Sequence, residues 1–284
     1  MIYVFHHNDI DGHASAYLVK AAFPVSVIRF IRCDYTFPLS IYASEIEPED
    51  QVFIVDYSFT ESTVAELKAL MGTTDNLVWI DHHKISIELV EKYPELVSVA
   101  GILDVRMSAA ALTYQYFHEN MIRLPEWIKL VSDYDTWQKK YTATDSFQYG
   151  LLASDWSVDS GLWSALSDSM VLASIISKGE VIMNFVREND DNNLKQYGFE
   201  TEFCGHKCLA INSRCQSSMI FDNYRNKYPV CVMYQFTGKC WKYSVYTDSH
   251  LDASALASVY GGGGHKGAAG FVSDTLLDCF IKTI

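Results

Sequence analysis

Short apolar runs closed by acids or histidines mark the first hundred residues. Ile2-Tyr3-Val4-Phe5 leads into His6-His7-Asn8-Asp9-Ile10-Asp11-Gly12, and Val25 to Ile31 ends at Arg32-Cys33-Asp34. Gln51 to Val55 is followed at once by Asp56, and Leu77-Val78-Trp79-Ile80 by Asp81-His82-His83. Runs this short and rich in β-branched and aromatic residues read as buried strands. Leu96 to Val99 offers a fifth. Between them, His13 to Phe23 and Glu61 to Met71 are helical, the latter with Val64, Leu67, Ala69 and Leu70 as its apolar positions. Strands alternating with helices predict a parallel sheet covered on both faces.

The texture then changes twice. Ser108 to Glu119 and Pro125 to Val131 are helical, with Pro125 suited to a first turn, and the second run ends in Ser132-Asp133-Tyr134-Asp135-Thr136-Trp137. From Ser160 to about Gln196 the pattern stays helical, with Ile175, Ile176, Val181, Ile182, Phe185 and Val186 on one face. After Gly198, strand-like runs appear at Cys208 to Ile211, Val230 to Gln235 and Trp241 to Tyr246. Helices are expected at Ser217 to Asn226 and Ala253 to Val259, the last running into Gly261-Gly262-Gly263-Gly264-His265-Lys266-Gly267. The fold class predicted is α/β. A parallel-sheet domain spans 1–160, a helical connector 161–197 and a smaller mixed α/β domain 198–284.

Composition narrows the function. A formal charge of −13 argues against a long basic track for polynucleotide backbones, so no binding of long duplexes is expected. A small anionic substrate stays compatible, because bound cations reverse the local sign. No uninterrupted run of about 18 apolar residues is present, so no membrane span is expected. The N-terminus lacks the basic-then-apolar pattern of a signal peptide, and the seven cysteines are odd in number and scattered, which predicts reduced thiols and a cytoplasmic chain. Cys204-x-x-x-Cys208 lacks the second pair that a tetrahedral zinc site requires.

The strand-ending acids carry the chemistry. Taken alone, His7 to Gly12 could be an Asx-rich turn with an N-cap for the following helix. Three strands that each end in acids, two of them with histidines, are harder to explain as turns. In open parallel sheets ligands gather outside the carboxyl ends of the strands. Asp9, Asp11, Asp56, Asp81, His82 and His83 would converge there. Carboxylates with a minority of imidazoles suit Mn2+ better than a thiolate-loving metal, with Mg2+ or Co2+ as alternatives. Two ions about 3.5–4 Å apart can activate a water and stabilise phosphoryl oxygens. No Ser or Cys stands in an activating arrangement for a covalent mechanism.

The set H-x-D-x-D-G at His7 to Gly12, Asp56, D-H-H at Asp81 to His83, a later Asp, and G-G-G-G-H at Gly261 to His265 resembles the DHH phosphoesterase family. It is similar to oligoribonuclease- and exonuclease-type members that carry the DHH-associated C-terminal domain. The resemblance implies two divalent ions, usually Mn2+. His7 and Asp9 would hold one and Asp11 the other, with Asp56 bridging the two and His82 and Asp133 completing the ligands of the second ion. Asp135 is the competitor for Asp133. Asp81 would orient His82, and His83 would face the phosphate. Gly262, Gly263, Gly264 and His265 would hold the substrate end away from the metals, and Arg106 is either a phosphate contact or a surface residue. Tyr246 stands where many members carry an arginine, and His6 is read as supporting rather than ligating.

The function expected is hydrolysis of short oligonucleotides or small dinucleotides by a metal-activated water. The alternatives are a phosphatase acting on a mononucleotide bisphosphate or another small phosphate ester, and a nucleotide-sensing module without turnover. A homodimer is compatible with the sequence.

Overall fold

Alternate residues of strand β1 (Ile2–His7) enter two different cores. Tyr3 and Phe5 pack with Ile31, Ile54 and Trp79, whereas Ile2 and Val4 pack with Phe53, Val55 and Ile80. A strand buried on both faces is what a covered parallel sheet requires. In this computed structural model, which describes residues 1–35, 38–118, 123–213, 218–248 and 250–281, the chain divides into two compact units, Met1–Met183 and Asn184–Ile284.

In the first unit β1 is followed by α1 (Ile10–Ala22), β2 (Ile28–Cys33), β3 (Gln51–Val55), α2 (Val64–Met71), β4 (Leu77–Asp81), α3 (Lys84–Lys92) and β5 (Ala100–Leu103). Then come α4 (Ala109–Phe117), α5 (Glu126–Asp135), α6 (Thr144–Leu152), the short α7 (Leu162–Ala165) and the long α8 (Ser169–Tyr197), which continues into the second unit. The sheet order is β2-β1-β3-β4-β5, with every pairing parallel. The direction of winding therefore reverses between β1 and β3, where crossover connections leave opposite faces and a crevice opens at the carboxyl ends of the strands. His7 ends β1 and Asp56 follows β3, so the topology itself brings these two residues to one place.

The second unit continues with β6 (Phe199–Phe203), β7 (His206–Asn212), β8 (Val230–Phe236), β9 (Trp241–Thr247), α9 (Ala253–Ser258), β10 (Gly263–His265) and β11 (Ala268–Ser273). Its sheet runs β10-β11-β9-β8-β7-β6 and is antiparallel except for β7 with β8. Phe203, Val230, Val232, Tyr243, Val245 and Phe271 form the core under α9. The α/β class and the mixed C-terminal sheet agree with the sequence pattern.

Several elements differ from the pattern. Leu96–Val99 lies in a 3-10 segment, Pro94–Val99, and the fifth strand begins just after it. Val25 and Val27 precede β2 and are exposed, because β2 is the sheet edge and pairs only with β1. Helices α3 and α6 and strands β6, β10 and β11 have no counterpart in the sequence reading. Glu119 and Ser217, ends of two expected helices, and Cys215 lie outside the described residues. From Ser218 the chain forms a 3-10 segment to Phe221 in place of the expected helix. By length and composition alone α8 is long and apolar enough to cross a membrane, although Lys178 and Glu180 interrupt its apolar stretch.

Candidate metal centre

Asp9 shows how backbone and site are built together. It is the N-cap of α1, its Oδ1 accepting the Gly12 N–H at 2.9 Å, while Oδ2 meets His7 Nδ1 at 2.7 Å. Burial opposes ionisation of Asp9, but the His7 and Gly12 hydrogen bonds outweigh it and hold its pKa at about 2. The same contact with Asp9 raises His7. Gly12 is required by close approach: a Cβ there would lie 2.3 Å from the His7 carbonyl oxygen.

Asp11 is buried, and both its oxygens accept from the start of α4, Ala109 N at 2.7 Å and Ala110 N at 3.0 Å. Two orphan N–H groups of that helix are thereby satisfied by an acid from another element. Asp56 is also buried and adopts φ 55°, a left-handed conformation that Asp tolerates better than most residues. Its Oδ1 is 3.4 Å from His82 Nε2, and its Oδ2 is 3.9 Å from His7 Nδ1. His82 Nε2 also lies 3.0 Å from Asp135 Oδ2 and 4.0 Å from Asp11 Oδ2.

Two donor groups result, His7 with Asp9 and Asp56, and Asp11 with His82 and Asp135, the donor atoms of each lying within 4.8 Å of one another. Asp56 touches both. A third grouping links Asp56 to Asp81, His82 and His83. Crowding shows in the ionisation. Burial, then the Asp135 charge, pushes Asp11 up to about 7, and burial followed by the Asp11 charge pushes Asp56 well above the usual range. Burial favours neutral His82, yet its hydrogen bonds to Asp135 and Asp56 and the Asp11 charge raise it to about 12. Asp56 Oδ2 is buried with no hydrogen-bond partner. An unpartnered carboxylate oxygen among converging acids and imidazoles fits divalent cations.

Two expectations change. The carboxylate facing His82 is Asp135, whereas Asp133 turns away and accepts from Lys140 N at 2.9 Å, Tyr141 N at 3.2 Å and Thr144 Oγ1 at 2.5 Å. The reason is helical phase. Helix α5 runs through Asp135, and residues two apart on a helix point to nearly opposite sides. Asp81 orients His83 rather than His82, through His83 Nδ1 at 2.8 Å, and accepts from Ser86 Oγ at 2.5 Å.

Arg106 is exposed and chelated by Asp104, its Nε 2.9 Å from both carboxylate oxygens. Gly262, Gly263, Gly264 and His265 belong to the second unit, where Gly263 to His265 pair with Gly270 to Ala268 as β10 against β11. A Cβ on Gly262 would sit 2.2 Å from the Gly270 carbonyl oxygen, so this glycine serves strand packing. Tyr246 lies on β9 with its ring 5.8 Å from Phe221. His6 is buried under the cluster, its Nδ1 2.8 Å from the His7 carbonyl oxygen, and burial with its neighbour His13 lowers it to about 4. Sequence reasoning missed Ser86 and the Asp11 bond to α4. Neither has a spacing signal, because both depend on tertiary contacts.

No family model matches the chain. Oligoribonuclease NrnB of Bacillus subtilis is 23% identical over 309 residues, covering 99% of this chain and 75% of that protein. Among solved structures, the pGpG-specific phosphodiesterase PggH from Vibrio cholerae aligns with a TM-score of 0.54 at 15% identity, over 95% of this chain and 92% of the other. RecJ from Thermus thermophilus, in complex with Mn2+, aligns with a TM-score of 0.50 at 14% identity, over 96% of this chain and 49% of that one. With five parallel strands in the order 2-1-3-4-5, a second mixed sheet, and the His-Asp-Asp, Asp56 and Asp-His-His motifs meeting at the strand ends, the chain has the fold of these DHH-domain proteins and resembles the DHH family in its motifs.

Proposed function

We propose that this chain is a phosphodiesterase of exonuclease type, dependent on two divalent cations and acting on short oligonucleotides or small dinucleotides. The observation that carries the reading is Asp56, whose two oxygens face two separate donor groups, His7 on one side and His82 on the other. His7, Asp9 and Asp56 would hold one ion, and Asp11, His82, Asp135 and the same Asp56 the other. The donor set favours Mn2+, and a neighbouring fold binds that ion. Such ions supply an activated water and offset the charge of the phosphoryl oxygens.

The chain's own residues do the rest. The Asp81 carboxylate accepts from Ser86 and fixes His83 through Nδ1, leaving Nε2 as the ring nitrogen for a phosphoryl or leaving-group oxygen. Asp9 ties the first donor group to the start of α1, and Asp11 ties the second to the start of α4. Gly262 to His265 and Arg106 are assigned to the substrate. The small-substrate reading rests on the charge of −13 and on the relatives named oligoribonuclease and pGpG-specific phosphodiesterase.

The test is turnover with Mn2+ on RNA and DNA of two to five nucleotides, linear and cyclic di-adenylate, adenosine 3′,5′-bisphosphate and pyrophosphate. Preferential conversion of the shortest oligomers to mononucleotides is expected. Release of phosphate from the bisphosphate alone would replace the reading with a phosphatase, and nucleotide binding without any product would replace it with a sensor.

A further inference from the structure

We infer that Tyr35 is a stacking platform for a nucleobase beside the metal centre. The inference deepens the proposed function by assigning the contact that recognises a base. Tyr35 follows β2 at the carboxyl edge of the sheet and is 56% exposed. Exposure of this kind usually goes with a mobile ring, but this ring is held from two directions. One face stacks on Tyr57 with centroids 4.9 Å apart and planes 17° from parallel, and the hydroxyl is 3.0 Å from Ser58 Oγ.

The support continues into the core. Tyr57 is buried, packs edge-on against Phe59 at 5.2 Å, and its carbonyl accepts the Trp79 indole N–H at 2.9 Å. Phe59 in turn meets Trp79 at 5.5 Å. A rigid aromatic ladder thus runs from strand β4 to the surface and ends at Tyr35. The Tyr35 ring also lies 5.8 Å from the ring of His7, which faces Asp9 and Asp56. With one face on Tyr57 and more than half the residue uncovered, an aromatic surface is presented next to the place where a phosphate would be cut.

That combination suits a nucleotide. A base has a π-face whatever its identity, so stacking gives affinity without base-specific hydrogen bonds and tolerates mixed sequences. A ring that is already fixed loses little freedom on binding. The side chain would therefore discriminate between a phosphodiester that carries a base and one that does not.

The experiment compares a 5′-phosphorylated diadenylate with its abasic counterpart. Equilibrium binding in Ca2+ and turnover in Mn2+ are measured for the wild type, Tyr35→Ala and Tyr35→Phe. The wild type should bind the adenine-bearing compound roughly tenfold or more tightly than the abasic one, on the scale of one base stack. Tyr35→Ala should bring that ratio close to one, and Tyr35→Phe should keep most of it. A structural defect would weaken both compounds together and leave the ratio unmoved. Turnover with an unchanged ratio in Tyr35→Ala would overturn the stacking role while the hydrolase reading stands. A Tyr35-dependent ratio without turnover would overturn the hydrolase reading and keep the platform. A wild type indifferent to the base would overturn the platform.

Discussion

Asp133 and Asp135 are two residues apart, and the structure gives them opposite work, so replacing each with Asn should separate stability from activity. Asp133 is buried and accepts three hydrogen bonds from the segment Lys140–Thr144. An amide in its place keeps one oxygen acceptor and turns an NH2 toward groups that are themselves donors. Losing one or two bonds to a charged acceptor, at about 1.5–3 kcal/mol each, predicts roughly 1.5–6 kcal/mol of destabilisation. Among the described residues Asp135 accepts from His82, and it faces the Asp11 group, so Asp135→Asn should change metal-free stability by about 1 kcal/mol or less. It should nevertheless lower kcat/KM by about 100-fold or more, because a proposed metal ligand is lost where supporting residues already cost about 10–100-fold. Urea unfolding followed by tryptophan fluorescence measures the first effect, since five of the six tryptophans lie in residues 1–183. Burial opposes ionisation of Asp133, but Thr144 and the two backbone N–H groups lower its pKa. Its contribution is therefore present above the ordinary aspartate value and lost as the pH falls below it, and the stability gap should close in acid. An Asp133→Asn protein that is fully stable but unable to bind Mn2+ would refute the assignment.

Three further outcomes follow from the same geometry. Asp56→Asn keeps a residue type that tolerates the left-handed backbone at φ 55°, so it should fold yet lose both turnover and stabilisation by Mn2+, whereas Asp56→Ala should cost about 1–2 kcal/mol more; calorimetric melting with and without metal compares them. Gly12→Ala places a Cβ 2.3 Å from the His7 carbonyl oxygen, and the forced shift of the His7–Asp9 segment should weaken Mn2+ binding about tenfold or more by titration calorimetry. Mn2+ affinity should rise with pH, because Asp11 at about 7 and His82 at about 12 must give up protons to bind it. Each proton released adds about a tenfold gain per pH unit, and Asp11 drops out above its own value. Affinity that stays flat from about pH 6 to 8 would contradict that ionisation pattern.

The site was legible where sheet topology does the assembling. Parallel strands end on the same edge, so an acid directly after β1, β3 or β4 is placed by its position in the chain. His7, Asp56 and His82 needed nothing more. Asp135 was not legible, because the choice over Asp133 depends on whether α5 stops at Val131 or continues for about one more turn, and polar residues at a helix end give no periodic signal. The glycine run was read as a hold on the substrate end away from the metals, and Gly262 and Gly264 also let the chain pass close to β11. Glycine marks close approach and does not say to what. Tyr35 carried no signal at all, because an aromatic residue in a connection has neither period nor spacing.

Asp11 shows why such a centre can gather so many acids in one buried place. A helix N-terminus carries about half a positive charge, and Asp11 accepts two N–H groups from α4. Those bonds offset part of the cost of burying its charge, but not all of it, since its pKa still stands near 7. Asp9 is treated differently, with the start of α1 and His7 together holding it ionised at about 2. The two carboxylates of one Asp-x-Asp motif therefore enter the site in different states. Asp9 is ready to bind a cation, while Asp11 and Asp56 carry crowding that a proton or a cation relieves. The first donor group should fill before the second, and the helix anchoring that keeps the acids in place is the same feature that keeps their charges unsatisfied until it does.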